Sequence, residues 1–175
     1  MSDLTVRVAE ARDLEAIADI YNDAIRNSVA TFDTEVWTPA RAREWLREHA
    51  HPYAALVAER AGDVLGWASL SSYRAKAAYR YSAEDSLYVA GGRQGAGVGA
   101  ALLARLMEVA RENGFRTVFA RITAPNPASV RLHERLGFAH VGVEREVGYK
   151  FERWLDVIEM QALLMPAFPR ATIRP

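Results

Sequence analysis

Cysteine is absent from the 175 residues, and that absence removes disulfides, thiolate metal centres and a cysteine nucleophile together. Neither sign of charge is in excess: Lys plus Arg number 22 and Asp plus Glu number 22, a formal net charge of +0. A balanced chain offers no broad electrostatic footprint for nucleic acid or an anionic membrane. No apolar run approaches the roughly 18 residues of a membrane-spanning helix, and Met1-Ser2-Asp3-Leu4-Thr5 places no basic segment ahead of an apolar one. A cytoplasmic protein is expected. Histidine is scarce as well: His49, His51, His133 and His140 form no HExxH-like pair, so no metal site is expected.

What is present suits one α/β domain with a full core. Leu4 to Ala9 alternates as a short strand. Asp13 is placed to cap a helix with the stripe Leu14, Ile17, Tyr21, Ala24 and Ile25, fading at Asn27-Ser28. Thr38 caps a second helix with Pro39 at its first position and Ala42, Trp45 and Leu46 inward. Tyr53–Glu59 and Val64–Ser71 read as a hairpin, followed by a longer strand from about Tyr79 to Val89. A third helix starts near Gly97 and ends at Asn113-Gly114; Thr117–Thr123 is the next strand, and Asn126 caps a fourth helix that ends before Gly137. Phe138–Val143 and Trp154–Leu163 are the last strands. The expected domain spans residues 1–165, and residues 166–175, with Pro166, Pro169 and Pro175, read as a tail.

The most informative stretch is Leu87-Tyr88-Val89-Ala90-Gly91-Gly92-Arg93-Gln94-Gly95-Ala96-Gly97-Val98-Gly99-Ala100. An apolar strand passes through a glycine loop straight into an amphipathic helix. Such a loop uncovers successive backbone N–H groups at a helix N-terminus, where the dipole favours an anion. The expected guest is a pyrophosphate. Gly95-Ala96-Gly97-Val98-Gly99-Ala100 also satisfies the dinucleotide fingerprint, but Ala90–Gln94 intervene between strand and glycines and the loop lies mid-chain. The strand where a ribose-binding acid belongs ends Ala120-Arg121-Ile122-Thr123 instead.

Read as Gln94-x-x-Gly97-x-Gly99, the loop resembles the acyl-CoA pyrophosphate motif of the GCN5-related N-acetyltransferase (GNAT) superfamily, and Asn126…His133…Gly137-Phe138 resembles its second motif. Thr31-Phe32-Asp33-Thr34-Glu35, Ala83-Glu84-Asp85-Ser86-Leu87-Tyr88-Val89, Pro125 to Phe138 and Gly148 to Val157 together resemble the phosphinothricin and methionine sulfoximine acetyltransferase family, over about Leu4 to Leu164. The resemblance implies a GNAT fold: a mixed, mostly antiparallel central sheet flanked by about four helices. It implies transfer of the acetyl group of acetyl-CoA to the α-amino group of a small amino-acid-like acceptor (phosphinothricin, methionine sulfoximine or methionine sulfone) by direct attack in a ternary complex. It also implies a homodimer, since relatives are often dimers.

The same resemblance suggests roles. Glu84 matches the position of the family's catalytic carboxylate, with Asp85 a rival on the opposite strand face. The backbone N–H of Val89 is expected to meet the oxyanion, and His133 to protonate the departing thiolate or orient the acceptor. The CoA site is expected to comprise Leu87, Tyr88, Val89, Arg93, Gln94, Gly95, Ala96, Gly97, Val98, Gly99, Ala100, Asn126 and Ser129. Ala96 stands where a cation is frequent in this motif, leaving Arg93 as the loop's positive charge. Acceptor contacts are expected from Phe32, Glu35, Arg74, Arg80, Lys150 and Trp154. An arginine can clamp a carboxylate through paired hydrogen bonds, and such cations would repel a lysine or a cationic peptide. Acetylation of a peptide N-terminus or protein lysine, and a non-catalytic acyl-CoA sensor, remain the alternative functions.

Overall fold

A computed structural model describes residues 3–164; the tail expected over 166–175 lies outside the described residues. The chain runs β1 (Thr5–Val8), α1 (Leu14–Asn27), α2 (Pro39–Glu48), β2 (Ala54–Arg60), β3 (Asp63–Ser72), β4 (Ser82–Val89), α3 (Val98–Glu112), β5 (Thr117–Thr123), α4 (Pro127–Arg135), β6 (Ala139–Lys150) and β7 (Arg153–Leu163). The strands form one sheet in the order β1-β2-β3-β4-β5-β7-β6, antiparallel except for β4 against β5. Mixed sheet and four helices match the expected architecture.

Both faces of the sheet are covered, which explains why β2 and β3 read as apolar runs rather than alternating ones. Ala55, Val57 and Trp67 pack with Ile17, Tyr21 and Ile25 of α1 and Trp45 of α2. Leu56, Ala58, Ala68 and Leu70 pack on the other side with Leu102, Leu103 and Leu106 of α3. Period 2 in the strands and period 3.6 in the helices make the two half-cores.

Three local expectations change. Asp13 does not cap α1 through its side chain. Its carboxylate instead accepts the Glu10 N–H at 2.8 Å and both Arg7 terminal nitrogens at 2.7 and 2.8 Å, because a guanidinium offers a bidentate partner that a helix N-terminus does not. The strand expected from Tyr79 starts at Ser82, since Ala77–Tyr79 form a 3-10 turn. The strand expected over Phe138–Val143 continues to Lys150, with irregular pairing near His140 and between Glu144 and Gly148.

Candidate active site

The parallel pairing of β4 with β5 is short: Ser82 with Thr117, Ala83 with Val118, Glu84 with Phe119. Past Glu84 the two strands separate, and a cavity of about 270 Å³ opens between them. Its lining includes Glu84, Asp85, Leu87 and Tyr88 from β4, Arg121 and Ile122 from β5, and Ser129 and His133 from α4. Thr31 and Phe32 of the α1–α2 loop roof it.

The register of β4 decides where its amides point. Trp67 pairs with Tyr88 and Gly66 with Val89, and the Ala90 N–H donates to the Leu65 carbonyl at 2.9 Å. Hydrogen bonds alternate along an antiparallel ladder, so the N–H groups of Leu87 and Val89 face away from β3 and into the gap left by β5. The glycine loop follows directly. Gly92, Gly95 and Gly97 take φ of 73°, 78° and 81°, the left-handed region that a side chain resists. Among the described residues, no protein acceptor meets the N–H groups of residues 97–100, and a Cβ on Gly95 or Gly97 would find nothing within 4 Å. Exposed amides at the start of α3 therefore fit a diphosphate. Arg93 is exposed beside them, and the Gln94 side chain donates back to the Val89 carbonyl at 3.4 Å, stiffening the turn.

Glu84 and Asp85 project to opposite faces of β4. Burial pushes the Glu84 carboxyl up and nearby Arg121 opposes it, while Asp85, Glu159 and Glu144 add to the rise. Asp85 is buried under α4, where its Oδ2 lies 3.0 Å from His133 Nε2. Asn126 Oδ1 accepts the Ser129 N–H at 3.1 Å and so caps α4, as expected of it.

The expected acceptor contacts divide. Phe32 lines the cavity, its ring seated on Gly148, where a Cβ would come within 2.2 Å of Cε2. Lys150 is buried away from the cavity wall and donates from Nζ to the Thr31 carbonyl at 2.8 Å, tying the roof to the end of β6. Arg74 is exposed and outside the lining: its guanidinium lies 4.9 Å from the Tyr73 ring, which stacks at 4.0 Å on Phe119, the partner of Glu84. Arg80 packs over Tyr81 at 4.5 Å, outside the lining. Glu35 lies on a separate shallow surface beside Trp37 and Arg41. Trp154 is 62% exposed on the outer hairpin, 5.0 Å from Tyr149.

Sequence reasoning missed Tyr21 and Arg121. Tyr21 reads as core, yet its hydroxyl meets Thr31 Oγ1 at 2.8 Å and Asp33 Oδ2 at 3.0 Å beneath the roof. Arg121, ion-paired with Glu144, is the one charge within the apolar run of β5, which was the available signal.

No group of three or more His, Asp or Glu suited to a metal ion occurs among the described residues, nor any helix long and apolar enough to cross a membrane. The Acetyltransferase (GNAT) family model matches residues 15–138. Phosphinothricin N-acetyltransferase of Streptomyces coelicolor is 44% identical over 89% of this chain and 94% of its own length. L-methionine sulfoximine/L-methionine sulfone acetyltransferase of Salmonella typhimurium is 40% identical over 92% and 95%. A crystal structure of a phosphinothricin acetyltransferase from Sinorhizobium meliloti in complex with acetyl-CoA superposes with a TM-score of 0.89 at 35% identity, covering 100% of this chain and 97% of that one. The diphosphate-ready loop, the open β4–β5 gap and these relatives agree: the chain belongs to the GNAT family and is an acetyl-CoA-dependent N-acetyltransferase.

Proposed function

We propose that the cavity brings acetyl-CoA and a small amino-acid-like amine, of the phosphinothricin, methionine sulfoximine or methionine sulfone type, into one ternary complex. The diphosphate rests on the amides of residues 97–100, and the pantetheine arm runs along the unpaired edge of β4 toward Asn126 and Ser129. The α-amino group is mostly protonated at neutral pH, since its ordinary pKa is about 8. Glu84, held in a partly buried wall with its proton affinity raised by burial, takes the proton directly or through water. The freed nitrogen lone pair attacks the thioester carbon. The Val89 N–H receives the oxyanion; a backbone donor so placed contributes on the order of 3 kcal/mol. Collapse reforms the carbonyl and breaks the C–S bond, and the second proton of the attacking nitrogen passes, directly or through water, to the departing CoA sulfur, so that the products are the amide, CoA thiol and the proton held by Glu84.

One observation carries this reading: Glu84 stands where β4 loses its partner strand, and the free amides stand where β4 ends. Arg74, joined to the Glu84 rung through Tyr73 and Phe119, is the cation assigned to the acceptor carboxylate. That charge disfavours a protein lysine as acceptor, and Glu84 in the wall disfavours a non-catalytic sensor. The enzyme is read as a cytoplasmic homodimer: Val143, Tyr149, Phe151 and Trp154 of the outer hairpin are 50% to 62% exposed, more apolar surface than a solitary edge normally leaves.

The test is acetyl transfer across a panel of amino acids, their sulfoxidised analogues, peptide N-termini and lysine peptides, followed as CoA release. Turnover concentrated on methionine sulfone, methionine sulfoximine or phosphinothricin supports the reading. Tight acetyl-CoA binding without CoA release on any small amine overturns it. Sedimentation with and without Trp154→Asp and Tyr149→Asp checks the dimer.

A further inference from the structure

Between α4 and β4 lies a buried pair that acetyl transfer by Glu84 and Val89 leaves without a task. The His133 and Asp85 side chains are 3% and 2% exposed, and Nε2 of one lies 3.0 Å from Oδ2 of the other. His133 Nδ1 lies 2.7 Å from the Ser129 carbonyl oxygen. A carbonyl only accepts, so Nδ1 carries a proton. One further proton must then lie between Nε2 and Oδ2, or two lone pairs would face each other in a buried site. The pair is neutral whichever atom holds that proton. Both His133 nitrogens are thus engaged with protein, and neither presents an N–H to the cavity. The remaining carboxylate atom, Asp85 Oδ1, is buried and has no protein partner among the described residues.

Asp85 adjoins Glu84 along the chain, and its negative charge is among the influences that raise the Glu84 carboxyl. The other charged groups facing Glu84 come from β5 (Arg121), β6 (Glu144) and β7 (Glu159). An imidazolium on Asp85 offsets one of three carboxylates around the base. Geometry adds a second consequence. Leu132, next to His133 on α4, would lie 3.3 Å from a Cβ on Gly99 of α3, so the seat of α4 against β4 also sets the wall beside the CoA loop.

We propose that Asp85 and His133 form a proton-sharing latch that seats α4 on β4 and cancels charge beside Glu84, so that His133 is a positioning residue and not the acid for the leaving sulfur. The proposal rests on the acetyl-transfer reading of the cavity for its kinetic consequences, and on the pair's geometry for the latch itself.

The test is a double-mutant cycle read as pH–rate profiles and separate KM values for acetyl-CoA and acceptor. Asp85→Asn permits a neutral latch: the amide N–H donates to His133 Nε2 while Nδ1 keeps Ser129. His133→Gln leaves the Asp85 charge uncompensated. The expected results are a fall in kcat of about threefold for D85N and about thirtyfold for H133Q, with the acidic limb of the H133Q profile displaced to higher pH. The D85N/H133Q double variant, carrying an amide–amide pair, recovers about tenfold over H133Q. Equal loss in H133Q and the double variant overturns the proposal, because a proton donor cannot be rescued by changing Asp85. A wild-type rate in H133Q overturns it as well, and so does a D85N defect larger than that of H133Q.

A second measurement needs neither activity nor a variant that folds. Nitrogen NMR of the wild-type protein at pH 8 should show both His133 ring nitrogens protonated or in fast proton exchange with Asp85. A free Nε2 lone pair there removes the latch even if acetyl transfer is confirmed; intact proton sharing in a protein that transfers no acetyl group removes the reading of the cavity and leaves the latch.

Discussion

Glu84 and Phe119 are the last residues joined between β4 and β5. Up to that rung the parallel strands hold each other's backbone groups; beyond it, β4 keeps only β3. The free edge of β4 therefore presents backbone N–H and C=O groups with no partner strand among the described residues, which ordinarily makes a sheet sticky. Here a roof loop, α4 and β7 enclose the edge, so a small ligand fits it where a second chain does not. The same break that opens the cavity places a carboxylate at its closed end.

Replacing that carboxylate should separate catalysis from stability. Glu84→Gln is expected to lower kcat by at least about a hundredfold at neutral pH, the range for losing a general base. Stability should move the other way. Burial raises the folded-state pKa of Glu84, so the folded protein prefers the neutral acid. The resulting stabilisation is fully present below the unfolded value, near 4.5, and is lost as pH rises through the folded one. At pH 7 the wild type carries the cost of a buried charge that the amide avoids, so E84Q should melt higher than wild type. Below about pH 4.5 the difference should close. Thermal unfolding across that range checks it, and an E84Q midpoint below wild type at pH 7 contradicts the burial argument.

The glycine loop makes a prediction specific to one substrate. Gly97 adopts φ of 81° with open space around its Cβ position, so an alanine meets no clash but must hold a left-handed backbone. That conformation costs about 1–2 kcal/mol. Relaxing it turns amides at the start of α3 away from a common focus. Gly97→Ala should raise KM for acetyl-CoA about tenfold, the loss of one charge-assisted hydrogen bond, with the acceptor KM little changed. Calorimetric titration with acetyl-CoA alone gives the same answer without turnover.

Local chemistry made much of this legible in the chain. Thr38 and Asn126 cap the helices the sequence assigns to them, accepting from Arg41 and Ser129, because an N-cap depends only on residues three positions away. The loop from Gln94 to Ala100 is equally local. The latch was hidden: Asp85 and His133 stand 48 positions apart, and nothing in either neighbourhood says that α4 crosses above β4. Strand β6 was cut short for another reason. Glu144-Arg145-Glu146 breaks the apolar pattern, and Glu146 takes φ of 49° at the irregularity, so the pairing resumes only after residues no periodicity would assign to a strand. Lys150 is the instructive case, since its sequence neighbourhood suggests a substrate contact and the structure gives it the Thr31 carbonyl.

The Arg7 network should govern acid stability. Arg7 joins Asp13 and Glu59, linking β1, the start of α1 and β2. The Arg7 guanidinium holds the Asp13 carboxyl below its ordinary value, with burial opposing and the Glu10 amide assisting. A depressed carboxylate stabilises the fold above its unfolded value and loses that contribution as pH falls through the folded one. Asp13→Asn should cost about 1–3 kcal/mol at pH 7, and the gap from wild type should shrink below about pH 4. Urea denaturation at pH 7 and pH 3 checks both statements. The acceptor KM should hold, since none of the three residues lines the β4–β5 cavity.

The roof offers the sharpest separation of the two substrates. Phe32 lies over Gly148 so closely that an alanine Cβ there would sit 2.2 Å from the ring, and Lys150 two residues on fixes Thr31 at 2.8 Å. Neither β6 residue touches the cavity, so a change in either reaches substrate only through the roof. Gly148→Ala must push the ring away, and overpacking of this kind costs about 1–3 kcal/mol. Lys150→Met keeps the apolar stem and drops the hydrogen bond to the Thr31 carbonyl, leaving the Thr31 hydroxyl its contacts with Tyr21 and the Asp33 N–H. Both variants should raise the acceptor KM, by about tenfold for G148A and less for K150M, while the acetyl-CoA KM stays within about twofold. Because Phe32 and Thr31 line the cavity together with Glu84 and no residue of the glycine loop does, a parallel rise in both KM values would mean that the roof does not bound the acceptor site at all.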